Sequence, residues 1–121
     1  MSRHPATTLS VGKLRRDGWP LVEVVEHRAH GGILRDLFGF IDIVAVGPQG
    51  TLGIQATSVG GVSDRLRKIR TERADRLVAV VAAGWEVRIW GWHQPNGPRT
   101  RWELKRDVDL STLIPTKETT T

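Results

Sequence analysis

Apolar residues are arranged along this chain in two patterns, one typical of strands and one typical of helices. Short runs rich in Val, Ile and Trp are bounded by glycine, proline or polar residues, which predicts β-strands. Over residues 64–83 the apolar side chains recur every three or four positions, which predicts an amphipathic helix ending at Gly84. Residues 9–16 predict a shorter helix, with Thr7 or Thr8 as its N-cap.

The predicted elements follow the order helix, three strands, helix, two strands. A tight turn at residues 47–50 joins the second and third strands, so we expect these two strands to form a hairpin. The second strand is apolar apart from a single acid, which favours a central strand buried on both faces. The order predicts an α/β fold with a mixed central sheet flanked by helices. The strands are predicted at residues 21–27, 40–46, 51–57, 85–92 and 101–104.

Composition limits the class of protein. The chain has 121 residues, 39% of them hydrophobic, which suits a single domain over residues 1–110, and the Thr-rich residues 111–121 predict a flexible tail. Cysteine is absent, which excludes thiol catalysis and thiolate metal sites. No apolar run approaches the length of a membrane span, and no signal-peptide pattern is present. We therefore expect a cytoplasmic protein that does not span a membrane.

The charge balance favours a polyanionic partner. Lys and Arg number 18 against 13 Asp and Glu, a formal net charge of +5. Most of the cations are Arg, which binds phosphate in a bidentate geometry better than Lys does. A nucleic acid is the partner that this balance most favours, although a basic protein without such a partner has the same composition.

The helix predicted at residues 64–83 carries many of these cations. They spread around more than half of its surface, so some must face water or a ligand. One interpretation is a surface that follows a phosphate backbone. The other is a solvated face with ion pairs of Glu72 with Lys68 and Arg76. The predicted nucleic-acid contacts are Arg65, Arg67, Lys68 and Arg70 on this helix, with Arg35 upstream.

Asp42 is the single acid inside the apolar run at 40–46. A buried carboxylate is costly unless it is paired, hydrogen-bonded or bound to a metal. Gln55 and Thr57 share one face of the next strand, and the hairpin brings that face beside Asp42. Carboxylate, amide and hydroxyl oxygens suit Mg²⁺ or Mn²⁺. Gln55 fits equally well as a polar strand residue that faces solvent.

Glu26 and Asp36 are two further acids upstream of Asp42. Either could complete a carboxylate cluster with Asp42. Either could instead form a surface salt bridge with Arg28 or Arg35.

The segment RDLFGFIDIVAV, followed by a glycine-containing turn, LGIQATS and a basic helix, resembles the PD-(D/E)xK nuclease superfamily. Within it, the likeness is to small archaeal and phage Holliday-junction resolvases, and it covers residues 9–92. The resemblance implies a restriction-endonuclease-like αβββαβ core, a homodimer, and Mg²⁺- or Mn²⁺-dependent hydrolysis of phosphodiester bonds in branched DNA.

The resemblance also implies roles for individual residues. Asp42 matches the invariant Asp of the family, Gln55 stands where the family has Glu, and Thr57 stands where it has Lys. The implied metal ligands are Asp42, Gln55 and the backbone carbonyl near Ala56. Related nucleases tolerate Gln at this position, but because Gln55 lacks the charge of Glu, metal affinity should fall unless a further carboxylate supplies that charge.

That carboxylate is predicted to come from Glu26 or Asp36. The cation of the missing Lys is predicted to come from Lys68 on the following helix, with Arg65 as the second candidate.

The leading hypothesis is a structure-selective DNA endonuclease that resolves four-way junctions. The replacements at Gln55 and Thr57 leave open a nuclease fold that has lost catalysis and only binds DNA. A restriction-type or repair-type endonuclease of the same fold is a third alternative. Trp90 and Trp92 share a strand face and are expected to be core or dimer contacts.

Overall fold

The computed structural model describes residues 5–28 and 30–113 of the chain. Its helices are α1 (Pro5–Arg16), α2 (Val62–Glu72) and α3 (Ala74–Ala82). Its strands are β1 (Leu21–Val24), β2 (His27–Arg28), β3 (Leu34–Arg35), β4 (Ile43–Gly47), β5 (Gly50–Ser58), β6 (Trp85–His93) and β7 (Glu103–Asp109). Short 3₁₀ turns lie at His30–Gly32, Val59–Gly61 and Leu110–Leu113.

Five strands form one mixed sheet in the order β1-β4-β5-β6-β7. The pair β5–β6 is parallel, and the other neighbouring pairs are antiparallel. The crossover between the two parallel strands contains α2 and α3, as a parallel pair requires. The prediction of an α/β fold with a mixed sheet flanked by helices is confirmed. The two-residue strands β2 and β3 form a separate hairpin that the hydrophobic pattern did not indicate.

The sheet separates two apolar cores. On one face, Leu14 of α1 packs with Ile54 of β5 in the first core. On the other face, Ile69 of α2 and Leu77 of α3 pack with Ile89 of β6 in the second core. Because strand side chains alternate between faces, successive residues of β6 contribute to opposite cores, whereas β5 contributes its apolar side chains to the first core. The sheet thus lies between α1 on one side and α2 and α3 on the other.

Two tryptophans of β6, Trp90 and Trp92, are buried on the face of the sheet that packs against α1. Trp90 and Trp92 meet edge to face, with ring centroids 6.5 Å apart. The Trp92 indole donates a hydrogen bond to Ser10 Oγ over 2.9 Å, which ties β6 to α1. Of the two predicted roles, core or dimer contact, the structure shows the first, and neither ring is exposed for stacking on a base.

The strand that is buried on both faces is β5 rather than β4. All residues from Leu52 to Thr57 are buried, and β5 is the middle strand of the five. The prediction that the run at 40–46 is a central strand buried on both faces is wrong at its end, since Val46 is 38% exposed. The physical reason is that α2 and α3 pack mainly against β6, two strands away from β4, and leave the outer part of β4 open.

The single helix predicted at 64–83 is two helices that meet at Arg73. Arg73 has φ −126° and ψ 15°, outside the helical region, although its N–H still bonds to the Ile69 carbonyl. The apolar spacing continues across the break, so periodicity alone could not reveal it. Other boundaries differ as well: α1 begins at Pro5, and β7 extends to Asp109 rather than ending at residue 104.

Within the described ranges, no helix is long and apolar enough to cross a bilayer. The tail predicted from residue 111 begins inside the last 3₁₀ turn, and residues 114–121 lie outside the described part of the chain.

Candidate metal centre

Asp42 occupies an irregular position directly before β4. Ile43 is the register partner of Ile54 in β5, while the Asp42 N–H donates to the carbonyl of the same Ile54 over 2.8 Å. Asp42 and Ile43 therefore both oppose Ile54, which is the geometry of a β-bulge. Bulges change the direction of side chains and are common near functional sites. The Asp42 carboxyl is buried, with 3% of the residue exposed.

A tight turn brings Asp36 to Asp42. Leu37 and Ile41 form an antiparallel bridge, with hydrogen bonds of 2.9 and 3.0 Å in the two directions. Asp36 and Asp42 flank this bridge, one on each arm of the turn. The reversal is made by Phe38 at φ 58° and Gly39 at φ 86°, both in the left-handed region.

The chain after β1 supplies the third acid. The N–H groups of Val25 and Glu26 both donate to the Asp42 carbonyl, over 2.8 and 3.3 Å. Glu26, Asp36 and Asp42 each place a carboxylate oxygen within 4.8 Å of the others. The prediction left open whether Glu26 or Asp36 joins Asp42, and the structure brings both together with it. We call these three residues the carboxylate cluster.

The two carboxylate oxygens of Asp42 have different surroundings. Oδ2 accepts hydrogen bonds from Gln55 Nε2 over 3.0 Å and from the Ala56 N–H over 2.9 Å. Gln55 Nε2 also lies 3.5 Å from Asp36 Oδ2. The other oxygen, Oδ1 of Asp42, is buried and has no hydrogen-bond partner. A buried oxygen of this kind is costly, and a cation or a proton would satisfy it.

The three carboxylates of the cluster repel one another when all of them are ionised, because they lie so close together. Burial, together with the nearby carboxylate of Asp36 and its negative charge, raises the pKa of Asp42 from 3.8 to about 9. The Ala56 N–H lowers this pKa, and the charge of Glu26 raises it further. In the absence of a cation, this shift of the pKa favours the protonated form of Asp42. A divalent cation would instead stabilise the ionised carboxylates.

The residues fit a hard divalent cation. Mg²⁺ and Mn²⁺ prefer oxygen ligands, and the carboxylate cluster supplies them from three different segments. The Ala56 carbonyl points to the same edge of β5 as its N–H, since both groups of a strand residue face one neighbour. Gln55 presents Nε2 to Asp42, so it would bind a metal only after its amide rotates to present Oε1.

Thr57 lies on the same face of β5 as Gln55, and it is buried. Its hydroxyl packs against Gly61 so closely that a Cβ there would collide with it. Thr57 carries no charge, so it cannot replace the Lys that the resemblance implies.

Two cations of α2 are the other candidates for that role. Lys68 and Arg65 are both exposed. Within the described residues, the ion pair on α2 joins Arg67 to Asp64 rather than Glu72 to Lys68. The roles predicted for Lys68 and Arg65 stay predictions, and so does the nucleic-acid contact predicted at the exposed Arg35.

Sequence reasoning missed the residues that hold the turn of Asp36. Arg76 donates to the Phe38 carbonyl over 3.1 Å, and the Phe38 ring meets Trp85 edge to face at 6.2 Å. The Arg73 side chain lies directly over Gly39, where a Cβ would collide with its Nε. A glycine between two phenylalanines was a signal for a turn, but the two arginines lie more than thirty residues away along the chain.

No protein-family model, curated protein or solved structure matches this chain. The resemblance to PD-(D/E)xK nucleases thus depends on the motif residues, and a functional assignment depends on the geometry of the carboxylate cluster.

Proposed function

We propose that this chain is a metal-dependent DNA endonuclease of the PD-(D/E)xK type. The observation that carries the proposal is the meeting of Asp42, Asp36 and Glu26 beside Gln55 and the backbone of Ala56. The element order supports it, because α1, β1, β4, β5, the helical crossover and β6 follow the αβββαβ order of that family. The hairpin β2–β3 would then be an insertion that delivers Asp36 to the site.

The proposed metal ligands are the three acids of the carboxylate cluster. A bound Mg²⁺ or Mn²⁺ would polarise a phosphate oxygen and lower the pKa of a water molecule for attack on phosphorus. Asp42 is held for this purpose by the Ala56 N–H, which fixes Oδ2 and leaves Oδ1 free. Gln55 replaces a charged ligand by a neutral one, and Asp36 and Glu26 make up the lost negative charge.

Lys68 is the proposed cation beside the scissile phosphate. Lys68 and Arg70 are the residues before and after the buried Ile69, so they lie about 100° from it around α2 in opposite directions. Arg70 lies on the side of β7, because Ser63, two turns earlier on the same flank, contacts Arg106. We therefore expect the flank of Lys68 to lie on the side of β5, whose Gln55 and Ala56 contact Asp42 of the carboxylate cluster.

DNA is the proposed substrate, and a four-way junction is the form that the resemblance favours. The net charge of +5 and the exposed cations of α2 support a polyanion. Cutting two opposed strands of a junction requires two sites, so this substrate would need a homodimer.

A second candidate is a DNA-binding protein without catalysis. The observation in its favour is the amide of Gln55, whose Nε2 hydrogen-bonds to Asp42 and lies near Asp36 in place of a metal. The absence of a lysine at the position of Thr57 points in the same direction.

The deciding experiment compares cleavage of a labelled four-way junction and a linear duplex of matched sequence, in Mg²⁺, Mn²⁺ or EDTA. We expect paired nicks in the junction with either metal and none in EDTA. Asp42→Asn should abolish cleavage and retain binding, because Asn keeps the shape of the side chain but not its charge. Asp75→Asn, at an exposed acid of α3, is the matched control and should cut normally.

The outcomes separate the candidates. Cleavage of both substrates would retain the nuclease and reject the junction specificity. Binding without cleavage in any metal would support the catalytically inactive DNA-binding protein. Full cleavage by Asp42→Asn would reject the carboxylate cluster as the site.

A further inference from the structure

A groove runs along the flank of α2 that faces β7. It has a volume of about 340 Å³ and is lined by Ser63, Leu66, Arg67, Arg70 and Thr71. Arg106 of β7 borders it, since its guanidinium donates to Ser63 Oγ over 3.4 Å. We call this surface the α2 groove. Nothing in the predicted catalytic machinery uses Ser63 or Arg106.

Two arginines of the α2 groove lack an acidic partner. Both Arg70 and Arg106 are exposed, and among the described residues neither has a carboxylate oxygen within 4.0 Å. Arg67 is different, because it is paired with Asp64 one turn away. The positive charge of the α2 groove is therefore only partly neutralised.

Arg88, on the strand that pairs with the strand of Arg106, does have acidic partners. Arg88 of β6 contacts Glu86 and lies 3.0 Å from Asp107 and 3.6 Å from Asp109. Arg106, on the neighbouring strand but directed to the α2 face beside Gly91, instead contacts a hydroxyl. Acids thus surround Arg88 on one face of β6 and β7, whereas among the described residues Arg106 on the other face has no acidic partner.

The chemistry of the α2 groove suits phosphate. Guanidinium groups bind phosphate oxygens with two parallel hydrogen bonds, and the Ser63 hydroxyl adds a further donor. Ser63 and Arg70 are seven residues apart, which is about 10 Å along a helix. One DNA strand carries a phosphate about every 3.4 Å along the duplex axis, so that length spans more than one phosphate.

The α2 groove is separate from the carboxylate cluster. The side chains of α2 that face the core, Val62 and Ile69, lie between the two flanks, and α2 sits so close over β6 that Gly91 has no room for a Cβ beside Val62. The groove opens towards β7, whereas the carboxylate cluster lies beyond β5 on the other side. A nucleic acid held at both places would have to cross α2.

We propose that the α2 groove is a second site for the nucleic-acid backbone, where Arg70, Arg106 and Ser63 bind phosphates away from the position of cleavage. The choice of nucleic acid as ligand depends on the proposed function, but the groove does not depend on the metal or on catalysis. Its role is to anchor the strand while the carboxylate cluster acts elsewhere on it.

The test measures binding of a fluorescent 30-base-pair duplex by anisotropy in EDTA, over a range of salt concentrations. The variant is Arg70→Ala/Arg106→Ala. The matched control is Arg15→Ala/Arg16→Ala, which removes two exposed arginines at the end of α1 on the opposite face of the sheet. Because all four residues are exposed, both variants are expected to fold, and circular dichroism checks this. A second variant, Arg70→Gln/Arg106→Gln, keeps the polar side chains and removes only the charges.

We expect the dissociation constant of the groove variants to rise at least tenfold, with a salt slope lower by about 1.8, which is 0.9 for each lost phosphate contact. The control should change the dissociation constant less than threefold. Equal effects of groove and control variants would overturn the proposal. A second measurement uses vesicles of phosphatidylserine and phosphatidylcholine. If the groove variants lose as much affinity for these vesicles as for the DNA duplex, the groove is assigned to lipid headgroups and the proposal is overturned.

Failure here is distinguishable from failure of the proposed function. Binding in EDTA requires no catalysis, so a protein that binds through the groove and never cuts DNA still supports the second site. A protein that cuts DNA while the groove variants bind normally rejects the second site alone.

Discussion

The amide of Gln55 donates from Nε2 to Oδ2 of Asp42 over 3.0 Å, so the neighbour of the buried carboxyl is a neutral donor. In the family that the motif resembles, this position carries Glu, a second charged ligand. The hydrogen bond satisfies one oxygen of Asp42 and leaves the other, Oδ1, without a partner. The oxygen without a partner is the one that a cation would contact.

Changing Gln55→Glu should have opposite effects with and without metal. In EDTA at pH 8 it removes a donor and adds a fourth acid, so we expect the free energy of unfolding to fall by about 1–3 kcal/mol. With Mn²⁺ the added carboxylate should tighten metal binding and enlarge the increase of Tm that the metal causes. Gln55→Ala is the control, because it removes the hydrogen bond without adding charge. A Tm increase in Mn²⁺ no larger than that of Gln55→Ala would contradict this prediction.

The stability of the metal-free protein should depend on pH through Asp42. The folded pKa of about 9 lies above the value of 3.8 for an unperturbed Asp, so the folded state holds a proton that the unfolded state has lost. This contribution is complete below pH 4 and decreases as pH rises towards 9. Thermal melts in EDTA from pH 5 to 9 should show a falling Tm, and Asp42→Asn should flatten the profile. Parallel profiles for the two proteins would mean that another group titrates.

Gly39→Ala should impair the metal site through the turn that carries Asp36. Alanine at φ 86° is strained by about 1–2 kcal/mol, and its Cβ would also collide with Arg73. Gly84→Ala is the matched control, because Gly84 has φ 96° but nothing within 4 Å of a Cβ. Both variants should melt at lower temperature, but only Gly39→Ala should lose the Tm increase caused by Mn²⁺. Equal metal responses would show that Asp36 does not depend on this turn.

Lys68→Ala should lower the cleavage rate of bound DNA, because a cation near the phosphate stabilises charge that develops during the reaction. We expect a loss of at least tenfold in single-turnover rate at saturating protein. The control is Arg15→Ala, at an exposed cation of α1 on the opposite face of the sheet, which should change the rate less than threefold. If Lys68→Ala cuts at the normal rate and Arg65→Ala does not, the cation is Arg65.

The hydrophobic pattern was sufficient for the main elements of the fold. Alternating and continuous apolar runs depend only on local sequence, so the hairpin of β4 and β5, the helical crossover and β6 could be predicted from their spacing. The helix break at Arg73 could not, because the apolar spacing is unchanged across it. The contact of Arg73 with Gly39 was also beyond prediction, since the two residues are distant in sequence.

The candidate site likewise has contacts that the sequence could predict and contacts that it could not. The sequence by itself predicted that Asp42 and Gln55 could meet, since a short turn joins their strands and strand side chains alternate between faces. It left a solvent-facing Gln55 as an equal alternative, and the hydrogen bond between the two side chains decides for the first. Only the tertiary structure decided that Asp36 and Glu26 both join Asp42. Their positions depend on a bulge, a two-residue hairpin and a left-handed turn, which arise from backbone hydrogen bonds and from arginines distant in sequence. Side-chain patterns report burial, and they carry no record of such long-range contacts.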